Sequence, residues 1–247
     1  MNNSIHDIDF VEEDRECSYF EDKISDIRYK YIEICSSLQY KSMLERGWRR
    51  FGRLHFSPVC KTCDKCTSIR ILADEYKFSK SDRRVLVKNQ DTRVVIKKPS
   101  LTMEHIALYH KYHQKMAEKK DWPSNDIDPL EYKKSYVNGA FGFGYEFLFF
   151  RDSRLVGVSL VDVLSEAVSA IYCFYDHDYE HLSIGKFSIL TQIQIAKQLK
   201  IPHIYLGYWI KDHLSMGYKE KYTPFEVLTN RAELDEEPIW RKYERKI

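Results

Sequence analysis

The clearest pattern of apolar and polar positions lies in the second half of the chain. Three apolar runs separated by short polar turns predict three consecutive β-strands, at 145–150, 155–164 and 168–175. Apolar residues then recur at helical spacing, which predicts a buried helix that Ser183 caps and that runs to about Leu199. A further strand is predicted at 204–210. This mixture of elements predicts an α+β fold.

The first hundred residues differ in character, with short apolar stretches, many basic residues and most of the six cysteines. We predict an irregular structure there. From Thr102, a second helix-capping residue, apolar positions recur at helical spacing through Met116, and the polar segment 121–129 predicts a surface loop. We therefore predict a smaller cysteine-containing domain at 1–99 and a larger domain at 100–247.

Composition excludes some classes of protein and leaves others open. Hydrophobic residues make up 43% of the 247 residues, which is typical of a globular chain. Lys and Arg exceed Asp and Glu by 39 to 37, so any affinity for nucleic acid must come from local clusters. The longest apolar runs are shorter than the ~20 residues that span a bilayer, and residues 1–16 lack the features of a secretory signal. These observations predict a cytoplasmic protein without a membrane partner.

The order strand, strand, strand, buried helix, strand is that of GNAT-type acyltransferases, by analogy of fold. Acetyl-CoA enzymes of this type begin that helix with a glycine-rich turn whose backbone N–H groups bind pyrophosphate. The corresponding segment here, 180–186 (EHLSIGK), has one glycine. The sequence therefore disfavours a CoA donor and predicts another activated acyl donor.

Five motifs resemble those of the aminoacyl-tRNA–protein transferases: 47–52 (GWRRFG), 60–66 (CKTCDKC), 79–84 (SKSDRR), 172–178 (YCFYDHD) and 206–210 (LGYWI). They occur in the family's order and span roughly residues 17–225. The resemblance implies a GNAT-like carboxy-terminal domain. Its compact bacterial branch implies transfer of leucine from Leu-tRNA to proteins that begin with Asp or Glu. The alternatives are Arg-tRNA as the donor, or a non-catalytic reader of acidic amino termini.

Four cysteines form a candidate metal site. Two residues separate Cys60 from Cys63 and Cys63 from Cys66, and Cys17 supplies a fourth thiolate. Four such ligands suit tetrahedral zinc or an iron–sulfur cluster. The resemblance supports this only in part, because Phe20 stands where relatives have the second cysteine of their first motif. The alternative is a cluster of reduced thiols that stiffens a loop. No cofactor is predicted for the chemistry itself.

An acidic acceptor side chain needs a charge-assisted partner, and Arg binds a carboxylate with two parallel hydrogen bonds. We predict that Arg70, together with Arg83 or Arg84, reads that side chain. The alternative is solvated surface charge or contact with tRNA phosphates. The arginines of 49–53 are predicted to contact RNA or to form surface ion pairs.

The aromatic residues of the last two motifs are candidates to stack on the terminal adenosine or to line an aminoacyl pocket, namely Tyr172, Phe174, Tyr208 and Trp209. Packing in the core is the alternative for them. Asp176 and Tyr175 are the predicted catalytic residues, since a carboxylate at Asp176 can orient or deprotonate the attacking amine. Asp178 is the alternative, and either aspartate can instead cap the turn.

Overall fold

The computed structural model describes residues 8–120 and 126–243, in which the strands form two sheets. The smaller sheet comes from the first sixty residues and consists of β1 (Ile8–Glu16), β2 (Ile24–Tyr31), β3 (Arg49–Phe51) and β4 (Leu54–Pro58). Its strand order is β1-β2-β4-β3, and every pair is antiparallel. The prediction that this part is irregular is therefore wrong.

The larger sheet consists of β5 (Thr67–Leu72), β6 (Arg93–Lys97), β7 (Gly144–Arg151), β8 (Arg154–Val163), β9 (Ala167–Tyr175), β10 (His203–Trp209), β11 (Phe225–Leu228) and β12 (Trp240–Lys242). The strand order is β12-β11-β5-β10-β9-β8-β7-β6. The predicted α+β class is confirmed, and each of the four predicted strands lies within one residue of an observed one.

This sheet draws strands from both sides of residue 99. β5 pairs with β10 and β11, and β6 pairs with β7, although both strands precede the predicted domain boundary. The division into domains at 1–99 and 100–247 stays a prediction. Of the predicted loop at 121–129, residues 121–125 lie outside the described residues, and Asp128 caps a short helix.

The helices are α1 (Ser37–Glu45), α2 (Lys80–Lys88), α3 (Met103–Lys120), α4 (Pro129–Tyr132) and α5 (Ile184–Leu199). Thr102 Oγ1 accepts a hydrogen bond from the backbone N–H of His105, as expected for a helix cap. The predicted cap at Ser183 is wrong. That residue precedes α5 with φ 54° and makes no side-chain capping bond.

Helices cover both faces of the large sheet. α5 buries Leu190 and Ile193 against one face, in a core that also includes Ile204 of β10. On the other face α3 packs through Tyr109 against Phe174 of β9, while α1 and the small sheet pack beside Tyr205. Among the described residues, no helix is both long and apolar enough to cross a membrane.

Candidate active site

β9 and β10 form a parallel pair in the middle of the large sheet, joined by α5. They pair only at their beginnings, from His203 opposite Ala167 to Tyr205 opposite Ser169. Beyond this point the described strands no longer pair with each other, and we call the region between their unpaired backbone edges the cleft. Ligands of open α/β sheets bind at such carboxyl ends. The cleft is the candidate active site.

Gly207 gives β10 an irregular shape beside this cleft. The register against β5 shifts between Tyr205 and Tyr208, and Gly207 has a φ of 78°. The extra residue brings Tyr205 and Tyr208 to the same face of the sheet, where both contact Arg49. Apart from the chain neighbours of Gly207, a Cβ there would have two described atoms within 4 Å: Arg49 Nε and Lys219 Nζ, each at 3.8 Å.

Arg49 reaches the cleft from β3, and only 6% of the residue is exposed. Its guanidinium carbon lies 5.5 Å and 5.6 Å from the ring centroids of Tyr205 and Tyr208. The group donates hydrogen bonds to the carbonyls of Trp48 and Gly207, while Nε has no hydrogen-bond partner in the part of the chain that the structure describes. Burial lowers the pKa of this guanidinium. Among residues 8–120 and 126–243, no carboxylate forms an ion pair with it.

Lys219, on the 3₁₀ helix Gly217–Lys221, brings a second cation to the same place and is also 6% exposed. Its Nζ donates to the backbone carbonyl of Tyr208 and lies 3.8 Å from the sulfur of Met216. Burial, followed by the charge of Arg49, lowers the pKa of Lys219 to about 7. No acidic side chain in the described part of the chain pairs with it either, so two buried cations meet without a counterion.

Aromatic side chains line the β9 side of the cleft. Tyr172 stacks on Tyr136 at a centroid distance of 5.7 Å, and Phe51 of β3 meets it edge-on at 6.3 Å. The Tyr172 hydroxyl is 2.8 Å from Nε2 of His113. Tyr172 is half-buried, as expected of a residue that borders a ligand, whereas Phe174 is fully buried against α3.

Comparison with family models and comparison with related proteins point to the same family. Residues 15–84 and 104–229 match the models of the arginine-tRNA-protein transferase amino and carboxy termini. This chain belongs to that transferase family. It is 48% identical to aspartate/glutamate leucyltransferase of Campylobacter jejuni (strain 81116), covering 96% of this chain and 99% of the relative. The identity to the protein of that name from Helicobacter hepaticus is 46%, over 96% and 98% of the two chains.

The transferase holds Asp176 in a network that occupies both of its carboxylate oxygens. Oδ1 lies 2.6 Å from Lys111 Nζ, and Oδ2 lies 3.0 Å from Arg154. Oδ1 also accepts a hydrogen bond from the backbone N–H of Asp178, and only 1% of Asp176 is exposed. Because both oxygens are engaged by these partners, the geometry favours a structural role over the predicted proton transfer.

We expect Asp176→Asn to lower the free energy of unfolding by about 1.5–3 kcal/mol, because it removes hydrogen bonds to charged partners. The folded enzyme should keep a kcat close to that of the native protein. Urea unfolding and single-turnover transfer rates measure the two effects separately. Asp178→Asn, at an exposed site, is the matched control and should change stability much less. A kcat loss of roughly 100-fold without loss of stability would restore the catalytic role.

Arg70 is already neutralised. Its Nε donates to Glu226 at 2.7 Å, and a second nitrogen lies 2.6 Å from the same carboxylate oxygen. A third nitrogen donates to the Tyr205 hydroxyl, and the group stacks on Trp240. An acceptor carboxylate would have to displace Glu226, so the structure does not favour the predicted role of Arg70.

The remaining predicted residues are spread over three places. Arg83 and Arg84 are exposed on α2 beside Lys80 and Lys88, away from the cleft. Tyr208 lies at the cleft and donates its hydroxyl to the carbonyl of Gly47.

Tyr175 and Trp209 lie on the opposite face of the sheet from Arg49. The Tyr175 ring is 3.1 Å from the position of a Cβ on Gly185, so it covers the first turn of α5. Trp209 packs in the core against Phe225 and Tyr243. The core alternative holds for Trp209 and for Phe174.

The four motif cysteines lie near one another at the junction of the two sheets. Burial, followed by the charges of Cys17, Cys60 and Cys63, raises the pKa of the Cys66 thiol to about 12. Four thiols have the right chemistry for zinc. Yet no group of three or more His, Cys, Asp or Glu in the described ranges is arranged to hold a metal ion. The metal site stays a prediction.

Sequence reasoning missed the two central cations of this site. The arginines of 49–53 were expected at the surface, but Arg49 and Arg50 are both buried. Arg50 forms an ion pair with the buried Asp162 of β8. Lys219 lies in the polar segment 216–221 (MGYKEK), where no pattern in the sequence distinguishes a buried lysine from a solvated one.

Proposed function

We propose that this chain transfers leucine from Leu-tRNA to the α-amino group of proteins that begin with Asp or Glu. The observation that carries the proposal is the 48% identity, over nearly all of both chains, to a protein named aspartate/glutamate leucyltransferase. The cleft between β9 and β10 is the proposed place of reaction. Marking such proteins for degradation is the proposed consequence of the transfer.

The fold we propose is that of a GNAT-like acyltransferase. Its support is the connection from β9 through α5 to β10, with parallel pairing that stops after three residue pairs. The Tyr175 ring over Gly185 fills the space beside the first turn of α5, where a CoA pyrophosphate would need to approach the backbone. This contact supports a donor other than acetyl-CoA.

The reaction we propose is direct aminolysis of the aminoacyl ester. The neutral α-amine attacks the ester carbonyl and a C–N bond forms. The bond to the ribose oxygen breaks, the nitrogen loses one proton, and the ribose oxygen takes one up. An α-amino group with a pKa near ~7.7 is partly neutral at cellular pH, so positioning can supply most of the rate. Neither a covalent enzyme intermediate nor a cofactor is part of this mechanism.

Two surfaces suit the tRNA. Tyr172 and Phe51 offer half-buried and exposed ring faces beside the cleft, and such rings can stack on the terminal adenosine or contact the leucyl side chain. The exposed cations of α2, which include Arg83 and Arg84, suit contact with phosphates. We therefore assign these two arginines to the donor rather than to the acceptor.

Arginine is the second candidate for the transferred amino acid, because the matching family models are those of arginine-tRNA-protein transferases. Purified protein, an Asp-initiated peptide and either labelled Leu-tRNA or labelled Arg-tRNA decide between them. We expect labelled peptide with Leu-tRNA and at least ~10-fold slower transfer from Arg-tRNA. Faster transfer from Arg-tRNA would mean that Arg-tRNA, and not Leu-tRNA, is the donor. Peptide binding without transfer from either tRNA would favour a non-catalytic reader.

A further inference from the structure

The buried charges of Arg49 and Lys219 have no carboxylate counterion among the described protein atoms. Both residues are 94% buried, and their charged groups flank the same glycine. Buried charges in proteins are normally paired, because removal from water costs far more than an isolated charge can recover. The groups that contact them are the rings of Tyr205 and Tyr208 and backbone carbonyls, which carry no net charge. The ionisable group that acts on Lys219 besides Arg49 is the Cys66 thiol. An anion from outside the chain would complete the arrangement.

The space for such an anion lies where a side chain of Gly207 would be, and we call it the space above Gly207. A Cβ on that residue would stand 3.8 Å from Arg49 Nε and 3.8 Å from Lys219 Nζ, with no other described atom beyond its chain neighbours within 4 Å. Arg49 Nε has no hydrogen-bond partner among the described residues. The space is therefore bordered by two cationic nitrogens and open because this position carries no side chain.

We propose that Arg49 and Lys219 bind the side-chain carboxylate of the first residue of the acceptor protein in the space above Gly207. The proposal rests on the proposed function and deepens it, since it assigns the residues that select Asp and Glu. Arg70 is unsuited to this role because Glu226 already neutralises it, and Arg83 and Arg84 are exposed on α2.

A carboxylate fits this space better than a tRNA phosphate does. A carboxylate ends its side chain and can reach two nearly buried cations end-on, whereas a phosphodiester continues into the RNA backbone on both sides. The carboxylate carbon of Asp is three bonds from the α-nitrogen, and that of Glu is four. Binding above Gly207 would thus hold the amine close to the unpaired edges of β9 and β10, where the ester must lie.

The test compares peptides that differ only in their first residue. Asn has almost the shape of Asp, but it would leave both cations without a counterion. We expect native enzyme to prefer the Asp-initiated over the Asn-initiated peptide by roughly 100-fold or more in kcat/KM with Leu-tRNA. In Lys219→Met and in Arg49→Met, KM for the Asp peptide should rise about 10- to 100-fold, while the Kd for Leu-tRNA stays unchanged.

Lys221→Met is the matched control, because Lys221 belongs to the same 3₁₀ helix and is exposed. It should leave the Asp preference intact. Lys219→Met removes an uncompensated buried cation, so its Tm should not fall. If either variant fails to fold, the other still tests the proposal.

Native protein without any transfer from Leu-tRNA would defeat the proposed function. Native transfer with an unchanged Asp preference in both folded variants would defeat this inference alone, and weakened tRNA binding at unchanged peptide KM would assign the site to a phosphate.

Discussion

Asp162→Asn is expected to lower the free energy of unfolding by about 3–5 kcal/mol, which is the usual cost of leaving one member of a buried ion pair without its partner. Asp162 is fully buried and its Oδ2 accepts a hydrogen bond from Arg50 Nε at 2.9 Å, while Oδ1 contacts a second guanidinium nitrogen. The rings of Tyr40 and Phe143 enclose Arg50. Without the carboxylate, that charge has no counterion and no access to water.

The loss can be measured by urea unfolding with linear extrapolation. Glu166→Gln is the matched control, since Glu166 forms an ion pair with Lys41 but is mostly exposed, and it should change stability much less than Asp162→Asn. An Asp162→Asn variant as stable as the control would mean that Arg50 reaches water or another acceptor.

The ion pair also bears on function because β3 has only three residues. Arg50 anchors β3 to β8 through Asp162, and the preceding residue, Arg49, points into the cleft. Side chains alternate along a strand, so fixing one arginine orients the other. We expect Asp162→Asn to weaken the binding of acidic peptides in addition to lowering stability.

The sequence predicts the strands and the helix of the second half well, because each of those segments is long and its apolar residues follow the spacing of a single type of element. The strands of the first half do not show this pattern. β3 has three residues, and β1 is exposed along nearly its whole length, so neither shows a buried alternation. β5 pairs with β10 across more than 130 positions of the chain, a contact that no local pattern encodes.

The candidate active site shows the same limit of prediction from local sequence patterns. The motifs identify the right segments, but the role of each charged residue depends on a partner far away in sequence. Glu226 neutralises Arg70 from 156 positions away, and Lys111 pairs with Asp176 from the middle of α3. Adjacent arginines differ for this reason as well. Arg50 meets Asp162, whereas Arg49 meets no carboxylate among the described residues.

Lys219 should make the stability of this protein increase with pH between about 7 and 9. Burial lowers its pKa from 10.5 to about 7, so the unfolded chain binds one more proton than the folded chain between those two values. Stability rises with pH wherever the unfolded state binds more protons. The destabilisation is complete well below pH 7 and disappears above pH 10.5. Between pH 7 and pH 9, this lysine alone contributes a gain of about 2 kcal/mol.

Lys219→Met lacks this titration, so the difference in unfolding free energy between the variant and the native protein isolates it. The variant should be favoured most at pH 7, and its advantage should shrink by about 2 kcal/mol at pH 9. A saturating Asp-initiated peptide should flatten the slope, because a bound carboxylate stabilises the protonated amine and returns its pKa towards the ordinary value. Parallel stability curves for the two proteins would show that Lys219 is solvated. A slope that acidic peptide leaves unchanged would place its anion partner elsewhere.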